Sequence, residues 1–427
     1  MRNRYLKFIS ILSHIFSERF GVYWWCGELQ EKNSSKDNLI HVLLATHQLV
    51  APILYKIPYL TIRKYLSFVV RYGIFKFKSK PELNSNLFFS YYGNYFSCLY
   101  KMEDSSVLIL PQKTDWKKVY KDKDVICIDQ FLRLKHFYQV PISYFKVVIR
   151  FVLNYSCLKF CIKELGKTIL NREDAWTLFK GQVLKSFAGQ LLVENLFLQK
   201  IFEELNLQNP KKLIYIYEGL GWEKLLCHIF KDQKKVGVLC TLPSDNMTNF
   251  WYKEDEVELM PKPDHLCVIG KNSLERFEKI YGERVHLLGT TRHQYLLDVE
   301  EGEGNEVLVI LGYNDEQSKE LLEWVEAAYD KYIVKPHPKS NLDGINFIYE
   351  DLYSCLKRAD TVVIASDSMA SFEAMAMGID VIIPRLNSFA DLNPLPLGYQ
   401  LGVNSSWLSD FFYFASNEEM INEIITL

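Results

Sequence analysis

Tyr332-Ile333-Val334-Lys335-Pro336-His337-Pro338 opens a stretch, from Lys331 to Pro394, whose reading decides the fold. A β-branched run here ends on a cation, a proline-flanked histidine and a turn. A second run, Thr361 to Ala365, delivers Ser366-Asp367-Ser368; a helical pattern carrying Glu373 follows, and a third run, Val381-Ile382-Ile383, ends at Pro384-Arg385. Short strands alternating with helices predict βα units and a parallel sheet. Ligands bind such sheets beyond the carboxyl ends of their strands. Lys335, His337, Ser366 and Ser368 all fall there. Cationic and hydroxyl groups beside a helix start suit a phosphate, so the expectation is a nucleotide-phosphate site.

Working outward, further strands are expected at His265 to Ile269, Val285 to Leu288 and Val307 to Leu311. Gly312 follows the last of these and lets backbone approach a ligand. Upstream, Lys211 to Lys224 reads as a strand ending at Glu218, a turn through Gly219 and Gly221, and a helix opening at Trp222-Glu223-Lys224. A carboxylate at a strand's carboxyl end is placed to face a cleft; it could equally be a turn acid bonded to local backbone. Glu223, one turn into the helix, reads as orienting or capping. The acidic run Lys253 to Glu258 and Pro261-Lys262-Pro263 read as a linker. Two α/β domains are therefore expected, 1–252 and 253–427.

Residues 1–80 read as helical and aromatic. Trp24-Trp25 fits either a sugar-lining or a core role. Basic residues interleaved with aromatics run from Arg63 to Lys80, and again from Ile142 to Lys167. They fit a solvated helix face or attraction to an anionic membrane. A net charge of −2 gives no global case for nucleic acid. Hydrophobic content of 48% supports large cores. The 9 cysteines lack ligand spacing, and with no secretory signal they fit a reducing cytoplasm. No P-loop, Gly-x-Gly-x-x-Gly or His/Cys cluster of ligand spacing occurs, so neither a bound metal nor an NTPase or dinucleotide role is expected.

Strand-Glu-Gly, then Lys-x-His-Pro, then Ser-x-Ser before a helix resembles bacterial GT-B glycosyltransferases that use CMP-activated sugars: the sialyl-, polysialyl- and Kdo-transferases of capsule and lipopolysaccharide assembly. Trp25 to Asn33, Tyr217-Glu218-Gly219 with Trp222-Glu223, Lys335 to Pro338, and Glu373-Ala374 resemble surface carbohydrate biosynthesis proteins more specifically. The resemblance implies two Rossmann-like domains around a cleft and a CMP-linked nucleotide-sugar donor with no further cofactor. It implies a glycan or lipid-linked acceptor, met at the cytoplasmic side of the inner membrane. Glu218 becomes the catalytic base or nucleophile, with Glu223 beside it; His337, Ser366 and Ser368 hold the phosphate with Lys335, and Glu373 the ribose. Tyr217 departs from the family, standing where a first acid is expected. Transfer of glycerol phosphate from CDP-glycerol, and a non-catalytic scaffold of a polysaccharide assembly complex, stay open beside this reading.

Overall fold

A computed structural model describes residues 2–26, 57–75, 81–91, 104–110, 126–239, 241–243, 247–290, 304–312, 315–337, 342, 347–365, 368, 370–384, 386, 411–413 and 415–427. Ser366 and the segment Gly27 to Asn33 lie outside them. Two parallel sheets with helices organise the rest. The first holds β1 (Asn86–Tyr91), β2 (Ser105–Leu110), β3 (Ile126–Cys127), β4 (Lys212–Tyr217), β5 (Lys234–Leu239), β6 (His265–Val268) and β7 (Val285–Leu287) in the order 3-2-1-4-5-6-7. The second holds β8 (Glu306–Ile310), β9 (Ile333–Lys335), β10 (Ala359–Ile364) and β11 (Asp380–Ile382) in the order 11-10-8-9.

Parallel sheets are covered on both faces, so their strands read as apolar runs. Side chains alternate across the sheet, and two cores result. Tyr215 and Tyr217 join Leu213 on one face of β4, and Ile214 and Ile216 fill the other. On β8, Leu308 and Ile310 face one core of the second sheet, and Val309, with Leu311 just past the strand, the other. The larger core is built by α1 (Arg2–Phe20), α2 (Ile57–Phe75), α3 (His136–Leu165), α4 (Ala175–Ala188) and α5 (Gln190–Asn206). Trp24 is buried there against Phe16, Phe20 and Phe187, which is the packing role. β1, whose Leu87, Phe88 and Phe89 are fully buried, is an interior strand between β2 and β4 that no local sequence pattern announces.

The domain boundary expected after Tyr252 falls inside the first sheet. β6 and β7 extend that sheet, with Val236 in register with His265 and Leu266 with Val285. The supposed linker is instead packed structure: Glu256 is fully buried, and Ser10 Oγ donates to Asp255 at 2.9 Å. Acidic residues and prolines mislead here because their partners sit on α1, some 240 residues away. Helix α7 (Lys271–Tyr281) still packs on the core of the first sheet, and the second sheet, with α8 (Asp315–Ala328) against it, starts only at Glu306.

Nor does the chain end in the second unit. Tyr413 N–H donates to Ile269 O, and Thr290 N–H to Tyr413 O, each at 2.8 Å. Helix α10 (Asn417–Thr426) then lays Met420 and Ile424 on Ile214, Ile216, Val236 and Val238 of the first sheet. Ser416 and Glu419 form a capping box at its start. At its end Lys212 Nζ donates to the Ile424 and Ile425 carbonyls at 2.8 and 2.7 Å, a cation where the helix presents unpaired acceptors.

This return leaves no room at Gly270. A Cβ there would lie 1.8 Å from Phe411 O and 2.3 Å from its carbonyl carbon. Gly270→Ala is therefore expected to cost about 1–3 kcal/mol as an overpacking change, read as a lower urea midpoint. An unchanged midpoint would contradict the placement of residues 411–413.

Candidate functional site

Strand order decides where each sheet can bind a ligand. In an open parallel sheet the crevice opens where the order reverses, at the carboxyl ends. In the first sheet that point lies between β1 and β4, and β4 ends at Tyr217, so Glu218 stands on it. In the second it lies between β8 and β10. Register aligns Ile310 with Lys335 on one side and with Ile364 on the other. Gly312 and His337, each two residues past that row, therefore share one edge at the usual strand spacing of about 4.8 Å. Ser368 follows β10 at the same edge.

The Glu218 turn is clamped from two directions. Glu218 N–H donates to Glu223 Oε1 at 2.9 Å and Gly219 N–H to Glu223 Oε2 at 3.0 Å. Glu223 thus reaches back from the first turn of α6 (Gly221–Ile229) to satisfy donors that precede the helix. From the other side Asn249 Nδ2 donates to Glu218 O at 2.6 Å. Gly219 has φ +72°, and a Cβ there would meet Asn249 O at 2.4 Å, so only glycine fits. Glu218 itself is half-buried, while Glu223 is 2% exposed. Of the two carboxylates, then, Glu218 stands at the edge and Glu223 holds the turn. Burial pushes the Glu223 carboxyl well above its ordinary range, against the opposing pull of the backbone N–H groups. Tyr217 is buried, with its hydroxyl 2.7 Å from Tyr281 Oη, so it cannot stand in for an acid at the edge. Asn249 and the buried Lys224, whose ammonium sits 5.4 Å from the Tyr252 ring, were missed by sequence reading. Their partners lie about thirty residues away, where no local pattern reports them.

In the second unit, Ser368 begins helix α9 (Ala370–Ala376). Its hydroxyl oxygen accepts Ala370 N–H at 3.3 Å, which leaves the hydroxyl proton to donate elsewhere. Lys335 Nζ donates to the Glu350 carbonyl, so its ammonium is committed to the loop beside β9. His337 is half-buried at the edge, and Glu373 is half-buried on α9. Among the described residues no group of three His, Cys, Asp or Glu is placed to hold a metal ion.

The two edges meet. Phe372 and Met375, flanking Glu373 on α9, pack with Leu242 and Ile269 beyond β5 and β6 and with Phe411 and Phe412 of the return segment. Cys267 pairs with Val238 and Tyr217 with Leu239, so Ile269 lies along the same carboxyl edge as Glu218. The contact therefore sets α9 against the edge that carries Glu218.

No family model matches the sequence, and no curated protein does. Among solved structures, CalG4, the calicheamicin glycosyltransferase, aligns with a TM-score of 0.33 and 11% identity, over 71% of this chain and 80% of that one.

The raised Glu223 pKa fixes a slope. A carboxyl whose folded pKa lies above its unfolded value stabilises most below about 4.5, and that contribution is lost as pH rises through the folded value. Urea midpoints of wild type relative to Glu223→Gln are therefore expected to fall as pH increases above the ordinary carboxyl range. A relative rise over the same pH series would show that the turn N–H groups outweigh burial.

Proposed function

We propose that the protein is a GT-B type glycosyltransferase that moves a sugar, Kdo or a sialic-acid-like nonulosonate, from a CMP-linked donor to a surface polysaccharide or lipid-linked acceptor. The observation that carries the reading is the furnishing of both switch points: a half-buried carboxylate on one, and Gly312, His337 and Ser368 along the other, with the two edges apposed through Phe372 and Met375. The choice of CMP rests on the resemblance of the Lys335 to Pro338 and Ser366 to Ser368 elements.

In this account the donor phosphate lies against the edge of β8, β9 and β10. His337 and the serines donate to its oxygens, and these charge-assisted bonds strengthen as the nucleotide departs and negative charge grows. Gly312 brings the β8 backbone close enough for its N–H groups to take part. Glu373 takes the ribose from α9. Glu218 accepts the proton of the acceptor hydroxyl, or attacks the anomeric carbon if transfer retains configuration. Glu223 acts as a positioning residue, because it fixes the two N–H groups that set the Glu218 backbone. Lys335 contributes its charge more than a direct bond, since its ammonium already serves Glu350.

Calorimetry with CMP, CDP and UDP tests the donor, and turnover with an activated sugar tests the reaction. CMP is expected to bind tightest, and His337→Ala to weaken it by about 10- to 150-fold, the value of one charge-assisted hydrogen bond. Glu218→Gln is expected to bind CMP normally and transfer sugar at least about 100-fold more slowly. Preference for CDP with transfer of a polyol phosphate would favour the CDP-glycerol chemistry. Nucleotide binding without turnover of any donor would favour a scaffold.

A further inference from the structure

Helix α3 is apolar on two opposite faces. Val140, Val147, Phe151 and Leu158 are buried in the core. Tyr138, Ile142, Phe145, Ile149, Leu153 and Phe160 are each more than half exposed. At about 100° per residue these six fall within roughly 80° of arc, directly opposite the buried set. A surface helix normally turns polar residues outward, so six exposed apolar side chains along one face of a 30-residue helix, broken only by Ser156, call for a partner. Helix α2 repeats the pattern: Tyr59, Ile62, Leu66 and Val70, each more than half exposed, also fall within about 80° of arc. Both helices pack against α5, and Tyr65 of α2 donates its hydroxyl proton to Phe137 O of α3. The two stripes therefore point away from the same helix, side by side on the first unit.

Charge selects the occupant. Lys146 borders the α3 stripe on one side and Lys159 on the other, Arg150 and Lys163 are exposed close by, and Arg63 is exposed beside the α2 stripe. No Asp or Glu occurs in α2, and α3 has only Glu164, in its last turn. Apolar and aromatic side chains flanked by cations of one sign match a lipid bilayer with anionic headgroups, into which such helices sink lengthwise. Among the described residues no helix is long and apolar enough to cross a membrane, so the helices would lie in the interface. We infer that α2 and α3 together form a docking face for an anionic membrane surface. The face belongs to the unit that carries Glu218, the side on which a lipid-linked acceptor would arrive. The inference stands apart from the transferase reading, since it needs no sugar chemistry.

The test is sedimentation of the full-length protein with phosphatidylcholine vesicles, with and without phosphatidylglycerol. Binding to the anionic vesicles is expected to exceed binding to neutral ones by more than about tenfold, and to fall as salt is raised above about 0.1 M, where screening reaches about 10 Å. Phe145→Glu/Ile149→Glu should abolish it, and Lys146→Gln/Arg150→Gln/Lys159→Gln should remove the salt dependence. Tyr349→Glu, which alters an exposed aromatic in the second unit, should change nothing. Circular dichroism confirms that each variant folds, and CMP calorimetry on the Phe145→Glu/Ile149→Glu protein separates docking from nucleotide binding. Equal sedimentation of wild type and the doubly substituted protein would overturn the inference. So would a solution dimer that these substitutions dissociate while the wild type ignores vesicles, since the face would then cover a second copy.

Discussion

The packing of Phe372 and Met375 against Leu242, Ile269, Phe411 and Phe412 is the contact on which the arrangement of the two sheets depends. An open parallel sheet binds ligands at its carboxyl edge. This apolar contact sets one edge against the other. The same contact includes the segment that carries the chain back to the first sheet, where α10 covers Ile214 and Val238. Loss of that return would expose sheet core and free the apposition together, so fold and site share one set of apolar contacts.

Much of the second unit was legible because parallel strands buried on both faces are short β-branched runs, which local pattern detects. Glu218 was legible for the same reason: it follows such a run and precedes a glycine turn. What escaped was set by distant partners. β1 is aromatic and lies within a polar, Tyr- and Asn-rich stretch, so its interior place depends on β2 and β4 rather than on its own alternation. The residues from Lys253 to Pro263 look like a linker because charged residues and prolines usually lie outside, yet Glu256 is buried. The roles of the paired carboxylates also needed coordinates. A glycine turn and the opening of α6 separate Glu218 from Glu223, and only the backbone path shows that Glu223 folds back onto its neighbours' N–H groups.

The buried Glu223 illustrates a compromise common at strand-to-helix turns. A carboxyl removed from water is costly to ionise, but two turn N–H groups would otherwise lack an acceptor. The gain is a turn held from both sides, with Asn249 on the carbonyl and Glu223 on the amides, so that the edge carboxylate rests on rigid backbone. The exposed stripes of α2 and α3 are a second local departure from the rule that apolar residues are buried, and they too lie on the first unit. The Glu218 turn and the exposed stripes thus share one scaffold.

Amide hydrogen exchange with and without CMP tests the central claim most directly, that the two carboxyl edges form one site. The account predicts added protection both in the second unit, at residues 311–312, His337 and the start of α9, and in the first, at Glu218 and Gly219. Protection confined to the second unit, or absent from both, would contradict it.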